Sequence, residues 1–293
     1  MTKSSLKTKT KAKTKTYEPR ATGGVSWSMY LVWLLLLVVV LWRIGAPQPV
    51  PSEETLPPTT RIPVQVLVPD DEMALAELHR ASPPPAWAEG KGSGSQSTGP
   101  AWSEWVAAYY HGAGGAAPFK SLAQELQEAG SRVQVVISPA PRLTLTFEQI
   151  HRLVRGRLRT APDLLLVEPD VYEKLREAGD LLPISGEGND AVYGIPDTRP
   201  AELALRRALA NRNRNEEAQS GAAAEAPGKL RPEMLVILRT TAFPQAAREA
   251  ASRFAAVCAR LTEERQQKWD ELQARAAEAG APVPAAHELE SLL

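Results

Sequence analysis

Apolar residues along the chain occur in three patterns. The first is uninterrupted: Ala21 to Trp42 carries no charge over 22 residues, and its centre, YLVWLLLLVVVLW, is wholly apolar. At about 1.5 Å per residue a helix there is long enough for a hydrocarbon core of roughly 30 Å. The second pattern is short runs of strand length, at Ile62–Val68, Val133–Ile137, Leu164–Val167 and Met234–Leu238. Trp105–Tyr110 also reads as a strand, closed by the turn HGAGGAA. The third is helical spacing. It puts Phe119, Leu122, Ala123 and Leu126 on one face of a helix over 118–129, and Ile150, Leu153, Val154 and Leu158 on one capped by Thr144 or Thr146. Val171, Leu175 and Ala178 follow Asp170 as an N-cap, with Gly179 at the stop. Pro244–Leu261 aligns Ala247, Ala251, Phe254 and Cys258; a further helix capped by Thr262 carries Trp269, Leu272 and Ala276 to Gly280. Asp70-Asp71-Glu72 opens a short helix through His79, and Ala201–Arg212 is amphipathic.

Strands alternating with helices of this length predict an α/β lobe in three layers. Its sheet is mostly parallel, with right-handed crossovers. Either Ile62–Val68 or Trp105–Tyr110 supplies the first strand; in the former case 82–104 is a flexible insertion.

Charge adds topology. Basic and acidic residues balance at 34 each, so no global field marks a nucleic-acid partner. Residues 1–20 nevertheless hold six lysines and Arg20 against Glu18 alone. Such a tail stays in the cytoplasm by the positive-inside rule, with 21–44 as a single transmembrane helix and Trp27, Tyr30 and Trp42 near its ends. The expected location is a bacterial inner membrane, N-terminus cytoplasmic and main domain extracytoplasmic. A cleaved signal peptide is the rival, against which stand the long apolar core and the poor cleavage site in RIGAP. Residues 45–61 form a Pro-rich stalk, and 62–293 the outer domain.

Candidate chemistry is sparse. GAGGAA (112–117) fits the dinucleotide fingerprint, but the next strand ends VVISPA without the acid that would hold a ribose. HGAGG resembles an oxyanion loop, yet no G-x-S-x-G occurs. The four histidines lack metal spacing, the acidic doublets Asp70-Asp71 and Glu263-Glu264 suit helix first turns, and Cys258 sits on an apolar helix face. No cofactor is expected, and no enzyme.

The order of pieces resembles a family. PFKSLAQELQEAG, RVQVVIS, FEQIHRLVRGRLRT and APDLLLVEPDVYEKLREAGDLLPI look like the first lobe of the extracytoplasmic solute-binding proteins of ABC importers. YGIP (193–196) looks like that family's crossover to the second lobe. LRPEMLVILRTTAFPQAAREAASRFAAVCARLTEERQQKW resembles its return segment, and AEAGAPVPAAHELESL its closing stretch. The resemblance implies a type II periplasmic-binding fold and capture of a small solute for an ABC permease. It departs in one respect. Only 33 residues, Asp197 to Lys229, replace a whole second lobe. Tyr109, His111, Gly112, Gly114 and Glu168, at or just after expected strand ends, are the candidate ligand-binding residues. The alternative function is an interaction or scaffold module derived from such a lobe.

Overall fold

The computed structural model describes residues 27–45, 53–85, 88, 99–156, 161–219, 230–285 and 289. The basic tail, most of the Pro/Gly/Ser stretch and 220–229 lie outside them. Two units are distinct, 1–50 and 51–293. In the first, helix α1 (Trp27–Gly45) covers 19 residues of the apolar run. Side chains are described for Met29–Val38, all apolar and exposed. Among the described residues, no helix is long and apolar enough to cross a membrane.

The second unit is α/β, with a mixed six-stranded sheet. Strands β1 (Ile62–Pro69), β2 (Val133–Ala140) and β3 (Leu164–Val167) run parallel, β1 in the middle. β6 (Met234–Leu238) lies antiparallel to β3, and also to β4 (Leu181–Leu182) and β5 (Gly194–Pro196). The helices are α2 (Glu72–Ala81), α3 (Trp102–Tyr109), α4 (Ala117–Glu128), α5 (Phe147–Arg155), α6 (Pro169–Glu177), α7 (Pro200–Gln219) and α8 (Pro244–Glu278).

Alternation along the strands explains the layers. Leu164 and Leu166 face one way with Val64, Val66, Leu235 and Ile237, against Phe119, Leu122 and Leu126 of α4 and the first half of α8. Leu165 and Val167 face the other way with Val236 and Leu238, against α5 and α6. All four β3 residues are buried because helices cover both faces, which is why this strand reads as a continuous apolar run. Asp163 stitches the far edge. Its carboxylate accepts from the Gln65 amide at 2.8 Å and from the Thr241 hydroxyl.

Several expectations are corrected. Trp105–Tyr109 is helical, within α3, and Tyr110 is its C-cap, so β1 is the first strand. Trp105, Val106, Tyr109 and Tyr110 are all buried there, and the aromatic run packs on α7 and the second half of α8 as a separate cluster. The two expected C-terminal helices are one helix of 35 residues. Thr262 does not cap; its hydroxyl bonds back to the Cys258 carbonyl at 2.9 Å inside the continuous helix. The N-cap of α6 is Glu168 rather than Asp170, with Pro169 at the first helical position. The stalk's end belongs to the domain: Leu56 packs on the core, and Glu53 accepts from the Gln245 and Ala246 amides at the start of α8.

Candidate functional site

Strand register brings one set of residues together. Pro69 is level with Ala140, Val167 with Met234, and Pro196 with the same Met234. The C-terminal ends of β1, β2, β3 and β5 therefore share an edge with the start of β6. Asp71, Arg142, Glu168, Asp197 and Glu233 follow or precede those ends by one or two residues. In open α/β sheets this edge is where ligands bind. The chain leaves the sheet here at Asp197, forms α7, and returns at Glu233. The two ends of this excursion are tied by the Asp197 amide donating to the Glu233 carbonyl at 2.8 Å.

Two arginines organise the edge. Arg142 donates to both oxygens of Asp71, at 2.9 and 2.6 Å, to Glu202 Oε1 at 3.3 Å, and to Glu233. Arg199, 1% exposed, holds Asp197 by two bonds of 2.9 and 2.6 Å. It also donates to the carbonyls of Gly112 and of Gly114, the latter at 3.1 Å. Glu202 Oε2 accepts from the Gly114 amide at 2.6 Å. The glycine turn is therefore wired to α7. Gly112 and Gly114 have φ of +76° and +92°, which lets their carbonyls converge on one guanidinium. A Cβ on Gly115 would stand 2.9 Å from the Pro69 ring, so the turn also needs close approach to the end of β1.

Four buried carboxyls, Asp71, Asp197, Glu202 and Glu233, meet three arginines, 142, 199 and 206. Burial raises the pKa of Glu233, opposed by Arg142 and Arg206. Burial likewise pushes Glu202 up to about 7, opposed by Arg199 and reinforced by Glu233, Asp197 and Asp71. Cys258, its Sγ 3.8 Å from Asp197 Oδ1, is pushed up to about 12 by burial and by that carboxylate. It stays a thiol at neutral pH, which does not suit a nucleophile.

The Glu202 shift gives a stability prediction. An unfolded glutamate releases its proton near pH 4.5, whereas the folded one holds it to about 7. Across that window the native state binds more protons, so stability falls as pH rises, by a total on the order of 3 kcal/mol. Glu233 and Asp163, both raised mainly by burial, slope the same way. The diagnostic reading is therefore the difference between wild type and Glu202→Gln in urea unfolding at pH 5, 6 and 7. The variant should show the shallower fall. Parallel curves would show that Glu202 does not titrate there.

The five sequence-based candidates are not gathered in one place. Gly112 and Gly114 join the network, through their backbone only. Glu168 is exposed and lines an adjoining cleft of about 420 Å³. Tyr109 is in the aromatic cluster, its carbonyl accepting from Arg265 at 2.7 Å. His111 lies against α8, its ring nitrogens 3.4 Å from Glu264 and 3.2 Å from Lys268. Both lie at or just after the end of Trp105–Tyr110, which ends a helix rather than a strand. Glu264 is mid-helix and Asp71 is buried, so neither acidic doublet is a mere first-turn pair. Apart from Arg206, the missed residues share a readable signal: each is charged and lies within two residues of a strand end or of Pro200. Among the described residues no group of His, Cys, Asp and Glu suits a metal ion.

Comparison with known proteins finds no matching family model, no matching curated protein and no matching solved structure. The local geometry is left to carry the functional reading.

Proposed function

We propose that this chain is a membrane-anchored extracytoplasmic lobe, similar in layout to the solute-binding proteins of ABC importers, that serves as an interaction module. The observation that carries the reading is the occupancy of the strand-end edge by the chain itself. The Gly112 and Gly114 carbonyls and the Gly114 amide, the groups best placed to meet a ligand, are already bonded to Arg199 and Glu202. A solute would have to displace a buried, paired guanidinium, which leaves Asp197 uncompensated. The return of β6 into the first sheet supports the view that α7 stands in place of a second lobe.

A second reading, solute capture for an ABC permease, draws on the cleft beside Glu168. One lobe offers a single wall, whereas a pocket that holds a small ligand well buries about 70–90% of it. Losing even about 4 kcal/mol of contact weakens binding roughly a thousandfold. Calorimetry on the full chain in detergent should therefore show no sugar, amino acid or short peptide binding at low micromolar concentration. One that does would restore the capture reading.

Anchoring rests on the uncharged run 21–42 and the basic tail before it. Protease added to intact spheroplasts should remove everything beyond the stalk and leave a small N-terminal fragment. Full protection would place the domain on the other side.

A further inference from the structure

The cleft at the mouth of β3 holds a group that the ion network leaves unused. Glu233, 1% exposed, lines the cleft, and its Oε1 takes both Arg142 and, at 3.5 Å, Arg206. Its Oε2 is buried with no hydrogen-bond partner among the described residues. A carboxylate oxygen left so carries an uncompensated desolvation penalty, which an incoming donor recovers.

The surroundings say which donor. Glu148, Glu168, Asp170 and Glu233 line the cleft against Arg142 and Lys174, an excess of two negative charges. Arg142 is committed to Asp71, Glu202 and Glu233, and Asp170 is paired with Arg231. Glu148 and Glu168 have no ion-pair partner among the described residues and are exposed to whatever enters. Phe147, Leu145 and Val171 also line the cleft and supply apolar surface suited to a short methylene chain.

We infer that this cleft is a subsite for an alkyl ammonium or guanidinium group, held by Glu233 Oε2 and Glu168 with its chain along Phe147 and Val171. The inference rests on the interaction-module reading, because the same chemistry reaches the cleft as a Lys or Arg side chain of a partner or as a free diamine. Charge-assisted donors satisfy a buried carboxylate better than neutral ones do, which sets the selectivity. Lys174 disfavours a second cation at its own end, so one basic group is taken at a time.

The test is calorimetry on the full chain in detergent at pH 7.5. The probes are cadaverine, 1,5-pentanediol, pentanoate and an N-acetylated, C-amidated pentapeptide with one central lysine among alanines. Cadaverine should bind about tenfold or more above the diol, in the high-micromolar to millimolar range, and pentanoate not at all. A lysine peptide stronger than cadaverine assigns the site to a partner's side chain, and the reverse assigns it to free amines; either supports the subsite. Glu168→Gln, an exposed change, should weaken cadaverine about three- to tenfold with an unchanged melting temperature. Glu233→Gln should abolish the preference for the diamine. Equal binding of diamine and diol, or wild-type affinity in Glu168→Gln, overturns the subsite while leaving the interaction reading intact. Micromolar capture of an uncharged sugar would instead overturn that reading.

Discussion

Leu166→Asp should unfold the outer domain. Leu166 is fully buried in β3, between β1 and β6, level with Leu235 and packed among Val66, Leu235, Ile237 and the α4 and α8 side chains. Its neighbours in that cluster are apolar side chains. An unpaired acid there costs several kcal/mol even after protonation, against a total stability of about 5–15 kcal/mol. Circular dichroism should show loss of the cooperative melt at 25 °C, or a fall in melting temperature of more than about 10 °C. Leu166→Met, which keeps volume and polarity, should cost less than about 1.5 kcal/mol. An aspartate variant that melts like wild type would mean that this strand is not in the core.

Arg199→Met should cost about 3–5 kcal/mol, because it strips a buried ion pair of its cation and leaves Asp197 charged and enclosed. The Gly112 and Gly114 carbonyls lose their common donor at the same time. The effect should be concentrated where α7 meets the glycine turn, so hydrogen exchange at 112–117 and 200–212 should accelerate more than at β1. Adding Asp197→Asn should recover part of the loss, since the stranded charge goes with it. An unchanged melting temperature for Arg199→Met would remove the plug on which the interaction reading depends.

The particular residues show which parts of the fold are readable. APDLLLVEPDVYEKLREAG reads correctly as buried strand, short helix and glycine stop. Pro169 and Gly179 punctuate it chemically, the latter at φ +70°, and a strand covered on both faces is apolar at every position. WVAAYY misleads for the same reason inverted. A helix buried on most sides carries an unbroken apolar run too, and six residues are too few for periodicity to separate the two. Thr262 has the composition of a cap but lies in a helix long enough to serve two clusters, Phe254 in one and Leu272 in the other. Packing on both sides of that point outweighs a local preference worth about 1 kcal/mol.

By itself the sequence determined the uncharged apolar run 21–42, the α/β class, four of the sheet's strands and the shortness of the excursion between Asp197 and Lys229. Each follows from local pattern: hydropathy, period, and the fixed geometry of proline and glycine. Only the tertiary structure decided which charges meet. Asp71 and Arg142 stand 71 residues apart, and Arg142 and Glu233 stand 91 apart. No periodicity links such positions. They are joined because parallel register and one antiparallel return bring separate strand ends to a common edge, and burial there makes unpaired charge costly enough to select its partners.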